Sequence, residues 1–173
     1  MSKLYVYAGI GASAIMIAIG IGAVAMGIDG RDQVRDELAR ENIVGTPDMG
    51  DIAGEKVDTG KEAETFADYL REHTLADTDN QTYAEMPRFL NEDGEPTAEE
   101  SEAAVDPKSG EPVSNPQRNI WITSTALQTA LNTSYFAERV SEFAFVMGIC
   151  LLLAGIGFLV LTLRLPWRQE GRS

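Results

Sequence analysis

Two uncharged apolar runs leave this chain few ways to fold. Leu4 to Ile28 is 25 residues without a charged side chain, and Phe143 to Leu163 is 21 more. Each exceeds the roughly 20 residues an α-helix needs to cross a hydrocarbon core about 30 Å thick. Residues 29–142 between them are polar, with ten basic and 26 acidic side chains. The expected fold is mainly α: two transmembrane helices, 4–28 and 143–163, flank a small helical extracytoplasmic domain, 29–142. Short tails, 1–3 and 164–173, complete it.

Charge sets the expected orientation. Lys3 precedes the first run, and Arg164, Arg168 and Arg172 follow the second. By the positive-inside rule both tails are cytoplasmic, the loop is outside and the chain is a multi-pass plasma-membrane protein. Arg31, Arg35 and Arg40 near the first run oppose this, and the interleaved Asp32, Asp36, Glu37 and Glu41 offset them little. Tyr5, Tyr7 and Trp167 fit an aromatic belt on the tail side. Ala23-Val24-Ala25 resembles a signal-peptide cleavage site. The run is longer than the 7–15 apolar residues usual there, so an uncleaved anchor is expected.

Small residues recur in both spans. Ala14, Ala18 and Gly22 stand four apart, Gly9 and Ser13 form a second such pair, and span two carries Ala144 and Gly148. Such faces let transmembrane backbones approach closely. The expected packing partners are the other span and, through the same kind of face, a separate membrane protein, with the lipid bilayer around both.

Within the loop, Asn91 to Gln117 holds eight acidic residues, four prolines, one Lys and no aromatic. So little apolar surface cannot offset its ordering entropy. About 91–117 is therefore expected to be a disordered acidic insert. Val34 and Leu38 suit a helical extension of span one past Asp29-Gly30. Thr59-Gly60-Lys61-Glu62 is a capping box opening a helix with an apolar stripe of Ala63, Phe66, Ala67 and Leu70. A third helix from about Ile120, with Ile120, Leu127 and Leu131 along one side, should run unbroken into span two and pack against Phe66 and Leu70. Ile43-Val44 and Ile52 to Val57 suit short extended pieces.

Reactive chemistry is sparse in this composition. Cys150 is the only cysteine, so no disulfide forms within one chain. His73 is the only histidine, and no second His or Cys in the loop joins it as a metal ligand. Asp77-x-Asp79-x-Gln81 begins like a calcium loop, but Thr82 and Arg88 stand where Gly and Glu are needed. Paired carboxylates such as Glu99-Glu100 fall in the insert, without fixed geometry to tune them. No phosphate-binding Gly loop or GxSxG occurs. A loop of net charge −16 repels nucleic acid. Uncharged spans suit neither a pore nor a proton relay. No cofactor, metal or small-molecule substrate is expected.

Several short motifs carry a resemblance. They are a helix ending near His73, then Thr82-Tyr83-Ala84-Glu85-Met86, Pro116-Gln117-Arg118, the run Trp121 to Leu131, and Ser134-Tyr135-Phe136-Ala137. With the two flanking spans, this order resembles a family of small two-span actinobacterial membrane proteins of unknown function. Many carry the label "aromatic ring-opening dioxygenase". Relatives often place a Gly pair where this chain has Asp79-Asn80-Gln81. The resemblance implies an architecture and a cell-envelope location. It does not imply the labelled activity, because a non-haem iron site of that type takes two His and a carboxylate.

Three functions are compatible with these residues. One is a non-enzymatic accessory or scaffold subunit of an envelope complex. A second is a metal-dependent envelope factor or enzyme using loop carboxylates, Tyr83 and His73. A third is an envelope sensor, which needs a partner because tails of three and ten residues hold no output domain.

Overall fold

A computed structural model describes residues 3–164. Lys3's side chain, Trp167, Arg168, Glu170 and Arg172 lie outside the described residues. The fold is mainly helical, with α1 (Lys3–Arg40), α2 (Gly60–Asp77) and α3 (Pro116–Arg164). Two of these, α1 and α3, are long and apolar enough to cross a membrane. The chain divides into two compact units, Met1–Glu41 with Phe136–Ser173, and Asn42–Tyr135.

The first unit is an antiparallel helix pair closed by small residues. The shielded positions of α1 include the series Gly9, Ser13, Met16, Gly20, Ala23, Gly27 and Gly30, with Val6, Ile10, Ile17 and Val24 flanking it. The spacing of the series alternates four and three, the period of two helices coiled about each other. On α3 the matching series is Ser141, Ala144, Gly148, Leu151, Gly155 and Thr162. Gly20 and Gly148 face each other: a Cβ on either would lie 2.8–2.9 Å from the other's carbonyl oxygen. Gly9 meets Thr162, Gly155 meets Met16 and Ile17, and Gly27 meets Ser141 and Phe145.

The face expected from Ala14, Ala18 and Gly22 is not this seam. All three are exposed, whereas Gly148 lies within the seam and Ala144 at its edge. A strict four-residue repeat drifts round a helix of 3.6 residues per turn, so it leaves a partner that a seven-residue repeat keeps. The Gly9–Ser13 pair does lie on the seam, and the Ser13 hydroxyl donates to the Gly9 carbonyl at 2.8 Å.

In the second unit α2 begins where the capping box places it. Thr59 Oγ1 accepts from the Glu62 amide, and the Thr59 amide donates to Glu62 Oε2 at 2.9 Å. Ala63, Ala67 and Thr74 are its buried face, with Phe66 and Leu70 half-buried beside them. Beyond α2, Asp79 (φ 51°) and Asn80 (φ 59°) both take the left-handed conformation. A Gly pair would adopt it without strain, and Asn and Asp tolerate it best among the rest. The calcium-like spacing is thus a turn.

The α3 stripe expected from Ile120, Leu127 and Leu131 is corrected. Leu131 is buried, but Ile120 is 47% exposed and Leu127 40%. The buried face is Trp121, Ser124, Gln128 and Leu131, again three and four apart. Half of it is polar, so a search for apolar residues alone selects a line about one position off.

The acidic insert is corrected as well. Strands β1 (Phe89–Leu90) and β2 (Pro96–Thr97) pair antiparallel. Leu90 is bonded again, its amide to Val113 O at 2.9 Å and its carbonyl to the Ala104 amide at 2.8 Å. Polar side chains close the turns: Asn91 Oδ1 accepts from the amides of Asp93 and Glu95, and Asp106 Oδ1 from that of Lys108. Composition weighs apolar burial, whereas this stretch satisfies its own backbone through Asn, Asp and Gly turns. The extended pieces at 43–57 also pair, through Val44 with Lys56 and Gly45 with Ala53. A Cβ on Gly45 would collide with the Ile52 carbonyl, so only glycine fits there.

Candidate functional site

Four polar constellations stand out, each built by a particular local structure. The first lies between α2 and α3. The Gln128 amide donates to Ser124 Oγ at 2.9 Å, and Thr74 Oγ1 donates to the Leu70 carbonyl at 2.6 Å. Ser124 and Thr74 hydroxyls touch, which leaves Ser124 as the donor between them. Helix formers would compete poorly here; Ser and Thr serve because each hydroxyl both donates and accepts. The chain of bonds underlies an open groove of about 490 Å³, walled by His73, Asp77, Asn119, Ile120, Thr123 and Leu127 among others.

The second joins the start of α3 to the segment before β1. Asn115 is 2% exposed and caps α3, its Oδ1 accepting from the Gln117 amide at 3.0 Å. Its Nδ2 donates to the Pro87 carbonyl at 3.0 Å. Pro116 follows at the first helical position, where a missing amide costs nothing. One turn on, the Arg118 guanidinium lies 3.8 Å from the Tyr83 ring centroid. It donates to the carbonyls of Tyr83 (3.0 Å) and Met86 (2.7 Å). The Tyr83-Ala84-Glu85-Met86 motif and the Pro116-Gln117-Arg118 motif are therefore two halves of one clamp. Glu85 belongs to the same turn, and the Thr82 amide and hydroxyl hold its carboxyl below the ordinary Glu range.

The third is a surface cluster on α2. Tyr69 and His73 are one turn apart with ring centroids 4.2 Å apart. Asp48 Oδ2 stands 3.7 Å from His73 Nε2, and Asp48 Oδ1 accepts from the Thr46 hydroxyl at 2.6 Å. The Thr46 hydroxyl first, then that of Tyr69, hold the Asp48 carboxyl below its usual range. The same bond to Asp48 pushes the Tyr69 phenol up. Asp48 therefore contributes stability above the ordinary carboxylate pKa, lost as pH falls through its lowered value. Asp48→Asn is expected to bring the Tyr69 phenol down toward about 10, read by ring-proton chemical shift against pH. A Tyr69 titration that does not move would break the assigned bond.

The fourth lies in the first unit, just beyond the apolar part of α1. Glu138 is 6% exposed and faces Arg35 Nε at 2.8 Å and Arg31 Nε at 3.7 Å. In the sequence Arg31 and Arg35 bear on topology alone. Their spacing of four, one turn apart on a helix, is the signal by which a shared acidic partner was legible.

Among the described residues no group of three or more His, Cys, Asp and Glu side chains is placed to hold a metal ion. Cys150 is a free, exposed thiol. Of the expected domain-packing residues, Leu70, Ile120 and Leu127 meet around the α2–α3 groove. Leu131 is buried, and Phe66 is half-buried on α2. Comparison with protein families, with characterised proteins and with solved structures finds no match to this chain.

Proposed function

We propose that this chain is a two-pass plasma-membrane protein without catalytic activity, an accessory or scaffold subunit of an envelope complex. In this reading both termini are cytoplasmic, residues 29–142 are extracytoplasmic, and the chain belongs with the two-span actinobacterial proteins its motifs resemble. The observation that carries it is that α1 has two small-residue faces and uses one. Gly9, Ser13, Gly20 and Gly27 close the helix pair, while Ala14, Ala18 and Gly22 stay exposed. A Cβ on Gly22 meets no described atom within 4 Å. In lipid, helices associate through such faces because apolar contact alone gives no preference over acyl chains. The polar clusters described above tie elements of one unit together, as a scaffold requires.

Blue-native electrophoresis and crosslinking in the native membrane should place the chain in a larger assembly. Gly22→Leu should release it from that assembly while the chain itself still folds. In intact cells, the chain carrying Ser109→Cys in a Cys150→Ser background should react with an impermeant maleimide. Migration only as a free monomer in mild detergent sinks the scaffold reading, and labelling only after lysis inverts the topology.

A further inference from the structure

A groove in the first unit has two ends that differ in kind. It holds about 560 Å³, within the range of ligand-sized clefts. At one end it is floored by Gly27, Ile28, Phe145 and Val146, all within the uncharged runs or next to their ends. At the other stand Arg31, Arg35, Asp32 and Glu142. Gly27 lets the helices close beneath the floor: a Cβ there would lie 2.6 Å from the Phe145 amide nitrogen. Buried Glu138 fixes the two guanidiniums, whose side chains are 47% and 38% exposed.

We propose that this groove retains one zwitterionic phospholipid of the loop-side leaflet, with an ethanolamine headgroup. This rests on the membrane reading above. Its phosphate lies against Arg31 and Arg35, since guanidinium donors match phosphate oxygens. Its ammonium lies toward Asp32, which accepts N–H bonds, and toward the Glu142 oxygen left over from the bond that Arg139 donates to Glu142 Oε2 at 2.7 Å. One acyl chain runs along Phe145 and Val146. The charges at the mouth decide the headgroup: counting Glu138, which pairs with both arginines, and Arg139, which holds Glu142 at 2.7 Å, three cations and three carboxylates balance, so the site complements a dipolar headgroup better than a net anion.

The test uses the full chain purified in mild detergent. Native mass spectrometry is run with synthetic phosphatidylethanolamine, phosphatidylglycerol and phosphatidylcholine at equal concentration. A one-to-one phosphatidylethanolamine adduct should dominate. Arg31→Gln should lower it about tenfold, the usual size of a lost charge-assisted hydrogen bond. Val146→Trp, at a side chain 55% exposed, should do the same by filling the floor without entering the seam. Equal retention of all three lipids, preference for phosphatidylglycerol, or an unchanged adduct in both variants overturns the proposal. Alkaline carbonate extraction separates the two readings. A chain that leaves the membrane fraction sinks the membrane reading itself. One that stays but shows no selective adduct sinks only the lipid site.

Discussion

Gly20→Leu is expected to lower the melting temperature of the purified chain by several degrees, while Gly22→Leu leaves it unchanged. Both substitutions add the same apolar bulk to α1, two residues apart. At position 20 a Cβ would sit 2.9 Å from the Gly148 carbonyl oxygen and 2.9 Å from the Leu152 amide nitrogen. Those are backbone atoms inside a helix, which cannot swing aside as a side chain can. The two helices must separate, and every contact along the seam weakens with them. Overpacking of this kind typically costs about 1–3 kcal/mol, occasionally more. For a chain of this size each kcal/mol shifts the midpoint by about 2–4 °C. At position 22 the new side chain points away from α3 and meets no described atom within 4 Å. Circular dichroism in mild detergent reads both variants. Equal melting of the two would mean that the glycine seam does not hold the helix pair.

That contrast also shows what was legible in the sequence. The two long apolar helices were plain, because a charge-free run of 20 or more residues has few alternatives. The start of α2 was equally plain, since a capping box is a local arrangement that needs no tertiary help. Which side of each helix packs was harder. On α1 two small-residue faces compete, and only the seven-residue spacing of Ser13, Gly20 and Gly27 distinguishes the one that packs. On α3 the buried positions include Ser124 and Gln128, so a hydrophobic stripe pointed to Ile120 and Leu127 instead. The acidic insert misled for a related reason. Its order comes from backbone pairs such as Leu90 with Val113, and composition does not register those. The Tyr83–Arg118 clamp joins residues 35 apart, beyond the reach of any local rule.

The clamp supplies the second large effect. Arg118→Ala is expected to destabilise the second unit by about 2–4 kcal/mol. The guanidinium closes two carbonyls, Tyr83 O and Met86 O, at 3.0 and 2.7 Å. Hydrogen bonds to charged groups contribute about 1.5–3 kcal/mol net. Its position over the Tyr83 ring adds about 0.5–1 kcal/mol at a partly exposed site. Met86 is 2% exposed, so the turn that Arg118 holds also keeps an apolar side chain from water. Lysine should rescue little, because a single ammonium on a flexible stem cannot bridge two carbonyls and stack on a ring together. Tyr83→Ala should cost less than Arg118→Ala, since the backbone carbonyls and their bonds remain. Amide exchange at Glu85 and Met86 reports the loss directly, as their amides bond to the Thr82 carbonyl inside the clamped turn. Protection there should fall in Arg118→Ala and Arg118→Lys, and only partly in Tyr83→Ala. If Arg118→Lys protects these amides as well as the wild-type chain, the two-carbonyl bridge is not what holds the segment. The charge alone would then be the anchor.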